Sequence, residues 1–567
     1  MISKKFNNIC SISFLLLIIG CINIGWFSKF ITGNPIIYNL CADAILNQGP
    51  FIFYKGISAP FFCNFHTTLE VHLLGLIFSI FGASVSSSKF FNFLLFFIFL
   101  FFYIKNAKNN RNLKLNIFIL LCWLSIPIVQ SAFHVTDPDS NISIFIIPII
   151  FILLNKHKYQ IIDFIWLCFL LFILIWTKEV TGLIVSLSLV LSAFLYSKKI
   201  ILKILFTVSF SWLFFLVTYL YYSEYFNIPG GLILEIFLRL TQTSSDQDFT
   251  KLFGSIKGLL VWVGITPLFF FIYHYVMISI KFFKIKSYLN YGEIFVLTVS
   301  FIALLMVIIS GSFYPRYLLP FILPILMLIF YKYNYYSEDN FLKFNKVFFF
   351  ILIPTFFFLI FVSKDLSITT SGFLNEIHKI PLMLLILMFP FLALICFVFI
   401  NKKSLWSFQT IIIFFVIPNI ISAFFISTSG SQIGSQIHGL KGFEDSIHFV
   451  RNKIDDNSIL ITDHIDVGFY FKNNIYHIVH PALDIPTHDM KSVEPIFLNK
   501  SDPYFFDLHE SIQSEFNGGV INKIFVIQRK FPSTPFNPVK IEFFNKYGSV
   551  LCATNFDDYL VYHECSL

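Results

Sequence analysis

Apolar residues in this chain run in long unbroken stretches, with short polar breaks between them. A helix needs roughly 20 apolar residues to cross a bilayer, with a range of about 17–25. Thirteen stretches qualify or come close: 10–31, 88–104, 115–131, 141–155, 160–176, 180–196, 200–222, 258–280, 293–311, 317–331, 347–363, 380–400 and 407–427. A further stretch, 66–83, carries His66, Glu70 and His72 and sits between polar loops, so it reads as a helix lying at the membrane interface. From about Thr428 the pattern changes to short apolar runs among charged residues. Residues 443–455 have amphipathic helical spacing, and 458–462, 475–479, 523–528, 548–553 and 559–563 read as strands. The expectation is a polytopic α-helical membrane protein with about 13 spans over 1–427, followed by an extracytoplasmic α/β domain over 428–567.

Composition sharpens the class. Of the 567 residues, 57% are hydrophobic, 13% are charged and 78 are Phe. Soluble domains run nearer 45–50% apolar and about 25% charged, so a water-soluble enzyme is excluded. The net charge of +8 does not signal a nucleic-acid partner, because the basic residues fall in short clusters between spans. With the N-terminus inside, the inner segments hold 18 Lys and Arg in 57 residues and the outer segments 8 in 124. That roughly fivefold density difference has the sign the positive-inside rule requires, and it places the C-terminal domain outside. Lys4 and Lys5 precede an apolar stretch without a cleavage pattern, which reads as a retained first span in the plasma (inner) membrane.

Polar residues concentrate on the outer face, in a first loop over 32–87 and a second over 132–140 (with HVTDPDSN at 134–141). Lys178-Glu179 opens the sixth span, and SFYPRYLLP puts Arg316 at the start of the tenth. No CxxC, no zinc spacing and no Walker or Rossmann glycine motif occurs. His477 and His480, with Asp484 and Asp489 after them, are too loosely spaced to read as a metal site. No metal ligand is assigned, and a divalent metal requirement stays open.

This order of features resembles the GT-C superfold glycosyltransferases of the protein O-mannosyltransferase and lipid A aminoarabinose transferase type, over about 1–430. The family's first loop reads Asp-Glu-x-x-Tyr-x-x-x-Ala-x-x-Leu-Leu-x-x-Gly. Here Tyr38, Ala42, Ile45, Leu46 and Gly49 keep that spacing, but Asn34-Pro35 stands in place of Asp-Glu. The His/Lys-Pro-Pro-Leu motif corresponds to His66-Thr67-Thr68-Leu69. The second-loop carboxylate falls on Asp137 or Asp139, and Lys178-Glu179 and Arg316-Tyr317 match the remaining pattern.

The resemblance implies transfer of a sugar from a polyprenyl-phosphate donor to a lipid, glycan or protein acceptor, with inversion at the anomeric carbon. An acceptor hydroxyl or amine needs a carboxylate to take its proton. Asp137 or Asp139 would serve, with Asp43 in reserve, because the amide at Asn34 has no useful basicity. The lipid phosphate leaves with growing negative charge, which a fixed cation stabilises. Substrate contacts fall to Asn34, Tyr38, His66, Lys178, Glu179, Arg316 and Tyr317. Two other classes stay open: a flippase or transporter of lipid-linked sugars, and a non-catalytic relative that binds the donor without turnover. Cys41 with Cys63, and Cys552 with Cys565, are candidate disulfides on an oxidising face.

Overall fold

The computed structural model describes residues 17, 19–20, 34–49, 51–52, 61–62, 69–109, 113–133, 141–156, 159–226, 263–285, 288–309, 315–332, 415–420, 442–462, 467, 469–471, 475–477, 523–529, 551–556 and 559–564. Helix α1 (Asn34–Gln48) is followed by a two-stranded antiparallel ribbon of β1 (Phe51–Ile52) and β2 (Phe61–Phe62). Then come α2 (Leu69–Phe81), α3 (Val85–Asn109), α4 (Leu113–Ser125), α5 (Pro127–Ala132) and α6 (Ile142–Leu154). The bundle continues through α7 (Ile161–Thr177), α8 (Glu179–Tyr196), α9 (Lys198–Tyr225), α10 (Ile265–Lys284) and α11 (Tyr291–Ile309). A 3₁₀ turn (Pro315–Leu318) then leads into α12 (Leu319–Lys332).

The protein is a membrane protein, and its surface shows why. Large apolar side chains of α3, α7, α8 and α9 point outward, among them Phe101, Phe169, Phe194 and Phe206. Faces of this length and apolarity fit a lipid surround. Four helices among the described residues are long and apolar enough to cross a membrane: those at 85–105, 179–196, 198–225 and 266–284. The 18 residues of α8 rise about 27 Å, close to the thickness of a hydrocarbon core. The spans expected near 160–176, 180–196, 200–222, 293–311 and 317–331 fall on α7, α8, α9, α11 and α12. The stretch expected as one span at 115–131 is two helices, because Pro127 lacks the N–H that would continue α4 past Ile126. The stretches 347–363 and 380–400 lie outside the described residues.

Without water to drive apolar association, helices in lipid pack through small and polar residues. α8 shows this on two faces. Ser188 and Ser192 meet Thr298 of α11, where Ser192 and Thr298 hydroxyls bond each other, and Tyr291 donates to the Leu189 carbonyl at 3.0 Å. On its other side Ser186 accepts from Trp212 Nε1 of α9 at 3.0 Å. Gly182 lets α7 and α8 approach: a Cβ there would sit 2.7 Å from Ile175 Cγ1.

α2 has 13 described residues, about 20 Å of helix. Glu70, Val71, Leu74 and Phe78 are buried, whereas Leu76, Ile80 and Phe81 are exposed. That two-faced character suits the interfacial placement expected for 66–83.

The C-terminal part pairs α13 (Phe443–Arg451) with a five-stranded mixed sheet. Its strands are β3 (Ser458–Thr462), β4 (Ile475–His477), β5 (Lys523–Arg529), β6 (Leu551–Phe556) and β7 (Tyr559–Glu564), in the order β4-β3-β5-β7-β6. β3 runs parallel to β4 and β5, while β7 is antiparallel to β5 and β6. Asp455, just past α13, accepts from Ser458 and from Lys523 at 2.5 Å each, and the Lys523 bond above all holds its carboxyl below the usual range. Phe443, Ile447, Val450, Leu460, Phe469 and Val561 share one apolar core with Ile36, Leu40, Val71, Leu74 and Phe78 of α1 and α2. Phe78 stacks on Phe469 at 6.3 Å. The sheet domain is therefore seated on the two helices that carry the first loop's motifs.

Candidate active site

The two ends of the helix bundle differ. At one end polar side chains knit α3, α4, α6, α11 and α12 together: Tyr103 and Tyr331 share Asn116, Asn290 donates to Asn155 at 2.6 Å, and Lys332 pairs with Glu293 at 2.8 Å. Exposed lysines, including Lys198 and Lys199, lie in this half. The opposite end carries the candidate site. There α7 hands over to α8, α6 begins, α2 and α3 begin, and the 3₁₀ turn precedes α12.

Lys178 is the junction of α7 and α8. Its extended backbone (φ −156°, ψ 111°) ends one helix, with its N–H on the Leu174 carbonyl, and starts the next, with its carbonyl accepting from Gly182. The side chain is only 7% exposed, and Nζ lies 4.8 Å from the centroid of the Tyr317 ring. A desolvated cation over a tyrosine face gains roughly 1–2 kcal/mol. Glu179 follows at the first position of α8, 3% exposed. A buried Lys-Glu at the end of a membrane bundle is expensive unless it is paired or used. Arg316 and Tyr317 sit in the 3₁₀ turn, so the Arg-Tyr motif and the Lys-Glu motif meet through the Lys178–Tyr317 contact.

The first-loop residues fall on α1. Asn34 is its first residue, Tyr38 is buried within the core shared with the sheet domain, and Asp43, somewhat over two turns beyond Asn34, is partly buried. Pro35 suits the first turn of a helix, where its missing N–H costs nothing. His66, Asp137 and Asp139 lie outside the described residues. Cys41 and Cys552 are each disulfide-bonded, and their expected partners, Cys63 and Cys565, also lie outside; Cys122 and Cys168 are free thiols. Among the described residues no three His, Cys, Asp or Glu side chains converge as metal ligands.

Sequence reasoning missed a second polar group at this end. Glu70 of α2, Asn92 of α3 and Asn141 at the start of α6 meet side chain to side chain, all nearly inaccessible. Lys89, also buried, lies one turn before Asn92 on the same helical face. The signal available was a Lys and an Asn three apart inside an otherwise apolar run. Beside this group His72 packs edge-on to Tyr222 at 5.4 Å. Trp176, whose indole N–H donates to Thr218 at 3.0 Å, also contacts Tyr222.

No protein-family model and no curated protein sequence matches the chain. Solved structures do, at low identity, and they show the fold: the chain is folded as the GT-C superfold is. One such similarity is to ArnT from Cupriavidus metallidurans. It covers 98% of both chains at 11% identity, with a TM-score of 0.56 for the crystal structure bound to undecaprenyl phosphate and 0.58 for the apo state. The archaeal oligosaccharyltransferase AglB from Archaeoglobus fulgidus, solved with an inhibitory peptide and a dolichol-phosphate, covers 91% of this chain and 69% of its own at 10% identity and TM-score 0.44.

Proposed function

We propose that the protein is an inverting glycosyltransferase that moves a sugar from a polyprenyl-phosphate donor to a lipid, glycan or protein acceptor at the outer face of the membrane. The observation that carries this reading is the buried Lys178–Tyr317 contact, which joins two of the resemblance's motifs within a fold whose likeness to ArnT covers 98% of the chain. Lys178 and Arg316 would hold the lipid phosphate and stabilise the charge that grows on it as the glycosidic bond breaks. A second-loop carboxylate, Asp137 or Asp139, would take the acceptor's proton, with Asp43 on α1 as the reserve base. The polyprenyl tail would lie along the apolar exterior of the helices. The domain over 428–567, packed on α1 and α2, would cover the site from outside and help choose the acceptor.

A second reading has its own observation: α1 opens on Asn34-Pro35, where the resemblance expects carboxylates. A chain that binds lipid-linked sugar without turnover would look like this. Incubation of the purified protein with a carrier labelled in its lipid separates the two. Transfer predicts release of free polyprenyl phosphate by the wild type. Binding alone predicts retention of intact donor, with release gained only on Asn34→Asp.

A further inference from the structure

Asn141 stands at the N-cap of α6, a position where an asparagine side chain ordinarily accepts from a backbone N–H and so stabilises the helix. It makes no such cap bond. Instead its Nδ2 donates to Glu70 Oε1 at 2.6 Å and to Asn92 Oδ1 at 2.7 Å, which uses both amide hydrogens. The three side chains come from three helices and are 2%, 1% and 1% exposed. Two local rules are thus broken at once: a helix start forgoes its cap, and a carboxylate is drawn out of water. Apolar residues of similar volume would hold three helices together at least as well. What such residues could not do is fix their relative register through directional bonds.

The helices so fixed are α2, α3 and α6, of which α2 follows the first-loop motif in the chain and α6 follows the second loop. Glu70 follows His66 by four residues, and Asn141 follows Asp139 by two and Asp137 by four. Their contact ties the first helical turn of α2, within the first loop, directly to the exit of the second loop. We propose that Glu70 and Asn141 are positioning residues of the transferase: their bond holds the helix that follows the first-loop motif in the chain against the start of the helix that follows the second-loop carboxylate. Asn92 anchors the pair to α3. This inference rests on the transferase reading. It assigns catalytic effect to a pair that touches no substrate.

A charge swap tests it. Asn141→Asp sets two carboxylates at hydrogen-bond distance, where they repel. Turnover should fall at least about tenfold through kcat, with polyprenyl phosphate affinity within about twofold of wild type. In Glu70→Gln/Asn141→Asp the donor and acceptor are exchanged: the introduced glutamine amide can donate to the introduced carboxylate, and Asn92 can turn its amide to do the same. Turnover should return to within about threefold of wild type. An unaltered rate in Asn141→Asp overturns the proposal, and so does a folded double variant that does not recover. If Asn141→Asp does not survive purification, Glu70→Gln and Glu70→Leu decide. Gln still accepts from Asn141 and should keep turnover, whereas Leu should lose kcat and keep binding; equal activity in both overturns the proposal. A wild type that releases no polyprenyl phosphate is a failure of the transferase reading instead. Hydrogen exchange across 50–68 and 132–140 then decides for the junction. It should rise in both stretches in Asn141→Asp and fall back in the double variant; unchanged exchange overturns the proposal.

Discussion

Lys178 is buried at the end of the bundle beside Tyr317, and removing its charge should be felt in the chemistry more than in the fold. Lys178→Ala is expected to lower polyprenyl phosphate release at least about tenfold, a loss of roughly 1.4 kcal/mol or more in transition-state stabilisation. Arg316→Ala should do at least the same, and Arg316→Lys should recover only part, because a point charge does not reproduce a bidentate grip. Asp137→Asn or Asp139→Asn is expected to abolish release while donor stays bound, since the amide keeps shape and loses basicity. Single-turnover assays beside donor-binding measurements check each variant; wild-type rates would remove the residue from the site. Lys178, Glu179 and Arg316 stand out in the sequence because a charge inside or beside an apolar run is costly and conspicuous. Glu70, Asn92 and Asn141 do not: each has an ordinary explanation alone, as a helix start, a lone polar residue in a span and a loop-closing cap. Only the packing of three helices brings them together.

At the scale of elements, the α7–α8 handover depends on Gly182. A Cβ there would stand 2.7 Å from Ile175 Cγ1 and 3.0 Å from Ile175 Cα, so Gly182→Val must push the helices apart. The expected cost is about 1–3 kcal/mol, read as a lower thermal midpoint in detergent, together with reduced release because Lys178 moves with the turn. Gly442, at φ +85°, is tighter still: a Cβ would fall 2.1 Å from the Phe556 carbonyl oxygen, so Gly442→Ala should unseat α13 from the sheet. Limited proteolysis of the C-terminal domain reports it. Among the described residues most helices and strands were legible as periodicity, including the strand at 458–462 and the one expected at 559–563, which runs to Glu564. The break at Pro127 was overridden by the apolar run around it, since hydropathy counts residues and ignores the missing N–H.

At the scale of the molecule, the seating of the sheet domain on α1 and α2 escaped the sequence, because apolar positions do not name the surface they meet. The side each end faces rests on the lysine count. Reporter fusions after Lys114, Lys199, Lys286 and Lys403 should read cytosolic, and fusions after Ser140, Ser312 and Leu567 external. An external signal at Lys114 would mean that 66–83 crosses the membrane, and the face assigned to the site would be lost. The most direct test of the whole account uses sealed, right-side-out vesicles holding the intact protein, with a polyprenyl-phosphate sugar labelled in its lipid presented from outside. Time-dependent release of polyprenyl phosphate is expected, matched by sugar gained on an acceptor and lost in Lys178→Ala. Bound donor that stays intact, or release that appears only when the inner face is opened, would contradict it.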